Sequence, residues 1–289
     1  MSPPERVERA RPLLGAQVRV ACVGLPWEEA HRGVDRAFGV IAEIHALMSF
    51  HDPASDISRL NRSAWLEPTA VSAQTFAVLK LALEFSAASG GVFDVAVGRE
   101  LVQRGKLPRP PGAPEPDPDA SWRDIELLSD GLVRFRRPMW VDLGGIGKGF
   151  AVDCAIDAVT AAHAGRWTIN AGGDLRVSGE GVELVVLDAP DASGGAPCIE
   201  LENASLASSS GRKDPASLSV ESHFDGRDRR MVGQCDFVSV VAPSCCAADA
   251  LTKVVLAVRR DCAELLGRYA ATAFLQDAKG VWSAFGAAV

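Results

Sequence analysis

The sequence has few aromatic residues and no long apolar run. Phe, Trp and Tyr make up 6% of its 289 residues, and tyrosine occurs once. No stretch reaches the ~18 consecutive apolar residues that a membrane-spanning helix needs. Residues 1–20 also lack an apolar run of signal-peptide length. We therefore expect no transmembrane segment, and the sequence as written predicts a cytoplasmic location.

The cysteines are seven in number and follow no repeating spacing. An odd count without a C-x-x-C pair argues against both a disulfide framework and a structural zinc site. Unpaired cysteines behave as small apolar residues and are often buried. We expect most of them to lie in the core. The adjacent pair Cys245–Cys246 lies beside a motif described below, so one of these thiols could be accessible.

The charge balance is acidic. The chain has 30 basic and 37 acidic residues, a formal net charge of −7 and a pI near 5.3. The densest basic cluster, 227–230, contains one aspartate and is preceded by another, so it forms no continuous basic patch. Because a phosphate-rich polymer would be repelled, we expect no nucleic-acid partner.

Helix and strand patterns are interspersed, and 47% of the residues are hydrophobic, enough for a substantial core. No regular βαβ rhythm is present, which favours an α+β (mixed α/β) class with layered mixed sheets and flanking helices. Residues 52–61 are predicted as a polar loop. Helices are predicted at Trp27–Met48, Thr75–Ser86, Phe150–His163 and Ala247–Val258, and strands at Val18–Gly24, from Trp140, and at Arg166–Asn170, Phe237–Ala242, Thr272–Gln276 and Val281–Phe285.

Residues 105–121 contain six prolines and several charges. This composition predicts an exposed, extended segment. Glycine motifs flank the segment on both sides, so it is interpreted as a surface insertion rather than a domain boundary. We therefore predict a single domain over residues 10–289.

The strongest local motif is Asp142–Asp153, which contains four glycines and Lys148 ahead of a predicted helix. Backbone N–H groups and one cation would converge at the positive end of the helix dipole, an arrangement that binds anions. It is neither a Walker loop nor a G-x-G-x-x-G dinucleotide fingerprint. The pattern favours phosphate binding over a purely structural turn.

Three other motifs each allow a structural interpretation. Asn170–Asp174 is either a tight turn or a close backbone approach to a ligand. Ser49–Asn61 is either an ordinary polar loop or a nucleotide grip. In 248–253, Asp249 is either a partner of the helix dipole or a ligand for a hard metal ion.

Taken in order, these motifs resemble those of the ApbE family. The matching segments are Met48–Asn61, Gly90–Asp94, Asp142–Asp153, Asn170–Asp174, Ser209–Gly211, a partial match at His223–Asp225, and Ala248–Thr252. The resemblance implies a layered ApbE-like fold. It also implies an FAD:protein FMN transferase, which uses Mg²⁺ to move FMN from FAD to a threonine or serine hydroxyl of an acceptor flavoprotein and releases AMP.

The resemblance also implies roles for individual residues. His223 would be the catalytic base for the acceptor hydroxyl. The Gly145 carbonyl, Asp249 and Thr252 would be metal ligands. The residues implied in FAD binding are Asn61, Phe93, Asp94, Lys148, Asp153, Gly172, Gly173 and Asp174.

Several positions depart from the family pattern. His51 stands where an aromatic residue is usual, and the segment after His223 is one residue shorter and lacks its proline and threonine-glycine pair. Lys253 stands where the family places a metal-binding threonine. These changes leave two alternatives to transfer: a non-catalytic FAD-binding protein, and an FAD pyrophosphatase that yields FMN and AMP.

Overall fold

A computed structural model gives the structure of residues 6–187, 195–211, 223–232 and 236–287. The helices are α1 (Trp27–Met48), α2 (Asp56–Ser63), α3 (Ala73–Ala88), α4 (Gly98–Gln103), α5 (Gly147–Thr160), α6 (Cys245–Val258) and α7 (Ala263–Arg268). The strands are β1 (Arg6–Leu13), β2 (Ala16–Val23), β3 (Thr69–Ala70), β4 (Ile125–Leu127), β5 (Leu132–Phe135), β6 (Arg166–Ala171), β7 (Asp174–Ser178), β8 (Glu183–Val186), β9 (Cys198–Leu201), β10 (Ser205–Ser210), β11 (His223–Phe224), β12 (Met231–Val232), β13 (Phe237–Ala242), β14 (Thr272–Gln276) and β15 (Trp282–Gly286).

The centre of the fold is an eight-stranded sheet with the order β1-β2-β6-β7-β10-β13-β14-β15. Helix α5 packs against α1 and against α6, and all three helices contact this sheet. The predicted α+β class is therefore confirmed. The sequence analysis predicted mixed sheets, and this part of the prediction is wrong. Every strand pair in the described residues is antiparallel.

Strand alternation decides which side chains face the helices. Successive residues of a strand point to opposite faces. In β7, Leu175 and Val177 join an apolar cluster on one face, while Asp174 and Arg176 contact side chains of α5 on the other. In β10 the same alternation turns Ser209 toward α6. Polar residues of two neighbouring strands thus reach the helix layer.

The polar stretch 52–61 is not a loop throughout, as the sequence pattern predicted. Helix α2 begins within it, because the Ser55 hydroxyl accepts a hydrogen bond from the backbone N–H of Ser58 at 3.0 Å. Ser is a favoured residue at this capping position. Ile57 and Leu60, three residues apart, are fully buried. The helical signal was present but was outweighed by the polar residues around it.

The stretch from Trp140 is not a strand, contrary to prediction. It is held instead by Asn61 of α2. The Asn61 side chain accepts from the N–H of Val141 at 2.7 Å and donates to its carbonyl at 3.0 Å. A side-chain amide therefore satisfies the backbone groups that a neighbouring strand would otherwise pair.

Residues 105–121 contain neither helix nor strand, as predicted, but they are not wholly exposed. Ala113 and Ala120 are buried. The Pro114 carbonyl accepts a hydrogen bond from the indole of Trp140 at 3.0 Å. The segment therefore packs against the chain that leads into α5.

Among the described cysteines, four are buried and none is in a disulfide. The expectation of a buried majority is met for this part of the chain, while Cys235 lies outside it. Burial raises the pKa of both Cys245 and Cys246 well above the usual thiol value, so neither is the accessible, reactive thiol considered above. Among the described helices, none combines the length and apolarity that a bilayer crossing requires.

Candidate active site

A cleft of about 390 Å³ opens beside the N-terminus of α5. Its walls are formed by the loop before α4, by α4 and the residues after it, by the turn into α5, by the end of β10, by the short strand β11 and by Lys253 of α6. The polar and aromatic residues among them are Phe93, Asp94, Lys106, Asp142, Lys148, Ser208, Ser209, His223, Phe224 and Lys253. Residues of four separate sequence motifs therefore meet in one space.

Lys148 lies in the first turn of α5 and reaches β7, where its ammonium pairs with the carboxylate of Asp174. Asp174 is fully buried. Burial raises the pKa of Asp174 to about 6, the charge of Asp249 adds to this rise, and Lys148 and Lys253 oppose it. Lys148 itself is partly exposed to the cleft. The pair thus has a buried negative end and an accessible positive end.

A second pair lies on α6. The Lys253 ammonium is 2.5 Å from the Asp249 carboxylate, which also accepts from the Gly149 N–H at 3.2 Å. Burial favours a higher pKa for Asp249, but the charges of Lys253 and Lys148 outweigh it and lower that pKa. Asp249 therefore remains ionised. It is fully buried in the second turn of α6, behind the lysine that lines the cleft.

The two pairs form one electrostatic unit. Both carboxylates are inaccessible to solvent, whereas both ammonium groups belong to side chains that line the cleft. In such a low-dielectric setting each lysine is held in place by its counterion. The side presented to a ligand is positive, which suits a phosphate or pyrophosphate group.

Asp94, which lines the cleft, bonds to three other residues of the chain. It accepts hydrogen bonds from the N–H groups of Ala96 at 2.8 Å and Trp122 at 3.1 Å, and pairs with Arg229 at 3.0 Å. Burial raises the pKa of Asp94, an effect that Arg229 opposes. Phe93 packs edge-on against Phe85 and also lines the cleft.

His223 lines the cleft from β11, which pairs with β12 to form a small hairpin. The turn of this hairpin packs tightly on the loop after α3. The N–H of Gly226 donates to the Val92 carbonyl at 2.9 Å, and a Cβ on Gly226 would lie 2.4 Å from the Gly91 carbonyl oxygen. Close backbone contact, made possible by glycine, therefore positions the hairpin that carries His223.

Gly226→Ala is expected to lower the free energy of unfolding by about 1–3 kcal/mol, because the new methyl group has no space. Chemical denaturation would measure this effect. Gly39→Ala is a matched control in the exposed part of α1, where an added Cβ meets nothing within 4 Å. This control is expected to stabilise the helix by about 0.5–1 kcal/mol. Equal effects of the two substitutions would contradict the tight contact.

Two residues that the resemblance implies in FAD binding form hydrogen bonds within the fold, away from the cleft. Asn61 holds the backbone of Val141, as described above. Asp153 accepts from the N–H groups of Cys245 at 2.9 Å and Cys246 at 2.8 Å, and also from Arg176 at 2.8 Å. Its carboxylate therefore caps the N-terminus of α6, where negative charge is favourable. Neither residue is among the described residues that line the cleft.

Gly172 and Gly173 line a second cavity of about 370 Å³. It shares Ser208 and Ser209 with the cleft, so the two spaces adjoin. Gly149 has a different task. A Cβ there would lie 2.3 Å from the Cys245 carbonyl oxygen, so this glycine allows α5 and α6 to approach closely.

The implied metal ligands do not fit a magnesium ion in this arrangement. Gly145 and Asp249 lie near the cleft, but the Lys253 ammonium already lies against the Asp249 carboxylate. Thr252 is fully buried, and its hydroxyl donates to the Asp249 carbonyl at 2.7 Å. Within the described ranges, no group of three or more His, Cys, Asp or Glu residues could hold a metal ion.

The sequence-based site residues omit several side chains that line the cleft, and three of them are Ser209, Lys253 and Asp142. Ser209 and Lys253 belong to the second ion-pair network, and Asp142 accepts from the Gly144 N–H at 3.0 Å. Burial raises the pKa of Asp142. All three stand inside motifs that were recognised. The i, i+4 spacing of Asp249 and Lys253 is a local signal for their pairing, whereas the contact of Lys253 with Ser209 was not predictable from the sequence.

Asp174→Asn is expected to change the pH dependence of folding. Because the pKa of Asp174 is raised in the folded state, its contribution to stability is present below about pH 4 and is lost as pH rises through about 6. The free energy of unfolding of the variant, relative to that of the wild type, should therefore increase by about 1–3 kcal/mol as the pH rises from about 4 to about 6. Urea denaturation across this pH range measures the difference, and parallel curves would contradict it.

Comparisons with known proteins bear on this site. The sequence profile of the ApbE family matches residues 14–274. A Vibrio cholerae protein named FAD:protein FMN transferase is 28% identical over 189 residues, which are 61% of this chain and 56% of that protein. A Haemophilus influenzae protein of the same name is 24% identical over 266 residues, which are 81% of this chain and 74% of that protein.

Solved structures are similar in fold. The ApbE protein of Thermotoga maritima has a TM-score of 0.81 at 21% identity, with 96% of each chain covered. The flavin transferase ApbE of Vibrio cholerae has a TM-score of 0.80 at 20% identity, covering 99% of this chain and 98% of that one. At these identities the likeness establishes the fold alone.

The fold and cleft define an α+β protein with a cleft lined by two lysines whose carboxylate partners, Asp174 and Asp249, are buried. The chain belongs to the ApbE family, because the family profile matches most of its length. The predicted family is confirmed, and the two relatives described above both carry the name FAD:protein FMN transferase.

Proposed function

We propose that the protein is an FAD:protein FMN transferase. The observation that carries the proposal is the cleft in which Lys148, Lys253 and His223 line one space. Two cations suit a pyrophosphate, and a histidine suits proton removal from a hydroxyl. Relatives that are named FAD:protein FMN transferase support the choice of FAD as the substrate.

The proposed step is a displacement at phosphorus. Lys148 and Lys253 hold the pyrophosphate of FAD and offset the charge that develops on its oxygens. The hydroxyl of an acceptor threonine or serine attacks the phosphorus on the FMN side, and His223 takes the hydroxyl proton. A new P–O bond to the acceptor forms as the bridging P–O bond of the pyrophosphate breaks. AMP leaves with the bridging oxygen.

The resemblance adds an acceptor flavoprotein and a Mg²⁺ requirement. His223 lines the cleft, which is the space from which the acceptor hydroxyl would approach it. Bound Mg²⁺ would supply charge neutralisation on the pyrophosphate. In this chain two ammonium groups lie where that charge is needed, so we propose the transfer reaction without assigning a step to a metal ion.

Incubation with FAD and an acceptor that carries a flavinylation threonine tests the proposal. The expected result is an acceptor mass increased by one FMN and an equal amount of AMP. FAD that binds but stays intact would favour the non-catalytic alternative. AMP and free FMN in the absence of any acceptor would favour the pyrophosphatase. The shortened segment after His223, together with Lys253, is the feature that favours the non-catalytic alternative.

A further inference from the structure

The ammonium group of Lys253 is enclosed by oxygen atoms. It lies 2.5 Å from the Asp249 carboxylate, 3.0 Å from the Ser209 hydroxyl and 3.1 Å from the Thr252 hydroxyl. A lysine ammonium has three hydrogen-bond donors. All three therefore have acceptors, and the nitrogen has a fixed position. The lysine side chain is only 15% exposed.

An ordinary helical ion pair does not account for this arrangement. Asp249 and Lys253 are four residues apart on α6, a spacing at which exposed pairs contribute little. Here the carboxylate is fully buried, and one acceptor, Ser209, comes from β10. The Ser209 and Thr252 hydroxyls also lie 2.8 Å from each other. Two elements of the fold thus build a single cation site.

The ligand set is the kind that a hard divalent cation would use, a carboxylate with hydroxyl oxygens. In this chain the cation is covalently attached. A magnesium ion needs oxygen ligands at about 2.0–2.1 Å in octahedral geometry, whereas the shell around Lys253 is at ammonium distances. A divalent ion at the Asp249 carboxylate would also be repelled by the neighbouring ammonium.

We propose that Lys253 is a built-in cation that replaces a divalent metal ion in binding the pyrophosphate of FAD. It acts with Lys148, the second ammonium that lines the cleft. Lysine suits this task as a compact point charge. Asp249 holds the ammonium in place, and Ser209 and Thr252 are the neutral partners that an incoming phosphate oxygen can displace. This inference rests on the proposed function, and it specifies that FAD binding does not depend on Mg²⁺.

The test is a titration of the whole protein with FAD, followed by flavin fluorescence or calorimetry, in EDTA and in excess Mg²⁺. We expect the wild-type dissociation constant to agree within about twofold between the two conditions. Lys253→Thr, which removes the ammonium and adds a neutral oxygen, is expected to bind FAD about tenfold or more weakly in EDTA and to recover in Mg²⁺. Lys253→Arg, which keeps the charge, is expected to remain independent of Mg²⁺.

Each outcome decides the inference. A wild type that binds FAD only with Mg²⁺, or a Lys253→Thr variant with unchanged affinity in EDTA, would overturn it while leaving the transferase proposal standing. A wild type that binds no FAD in either condition would overturn the proposed function as well. Should Lys253→Thr fail to fold by circular dichroism, the wild-type comparison together with Lys253→Arg decides. Lys80→Thr, on the exposed face of α3, is the matched control.

Discussion

His223→Ala is expected to lower the rate of flavin transfer by ~10²–10⁴-fold, because the acceptor hydroxyl loses its general base. FAD binding should be nearly unchanged, since the two lysines that hold the pyrophosphate remain. Single-turnover transfer assays with a threonine-bearing acceptor measure the first quantity, and fluorescence titration with FAD measures the second.

The matched control for this variant is His45→Ala. His45 lies in the last turn of α1, and it is not among the described residues that line the cleft. Its substitution should leave the transfer rate unchanged. A His223→Ala protein that transfers FMN at the wild-type rate would show that the histidine is a bystander and that another group accepts the proton.

Lys148→Met is expected to weaken FAD binding by about 10–100-fold, because one charge-assisted contact to the pyrophosphate contributes about 1.5–3 kcal/mol. Methionine keeps much of the apolar stem and removes only the charge. The substitution also leaves the buried Asp174 without its lysine. That loss can cost about 3–5 kcal/mol of folding stability.

The double variant Lys148→Met/Asp174→Asn separates the two effects. It removes both charges of the pair, so the fold should be largely restored while FAD affinity stays low. Lys80→Met, an exposed substitution on α3, controls for the loss of one positive charge. If the double variant bound FAD as tightly as the wild type, Lys148 would have no part in holding the pyrophosphate.

Local patterns in the sequence predict much of this fold. The apolar period of Trp27–Met48 identifies α1 with its observed bounds, and β14 is likewise placed at Thr272–Gln276. Helix α1 is predicted correctly because it buries a single face, and burial of one face imposes a period on its residues. Strand β14 is a short, largely apolar segment that is buried on both faces. Helix α2 was missed because its buried apolar residues are few and its other residues are mostly polar.

The site was only partly predictable. The glycine-rich turn before α5 indicated an anion site, and Lys148 does line the cleft. The assignment of Asp153 to FAD binding stays a prediction, and the structure offers a different use for it. Its carboxylate caps α6 across a separation of 92 residues. No local signal announces such a contact, since it depends on how two helices cross.

The sequence by itself determined the α+β fold class of the protein and, through the order of its motifs, its family. It did so because periodicity, turn chemistry and motif order are properties of neighbouring residues along the chain. Only the tertiary structure decided what surrounds each charge. Asp174 and Asp249 are buried counterions because strand alternation and helix packing turn them inward. Only the fold brings Ser209 of β10 to the ammonium group of Lys253, across 44 positions of the sequence.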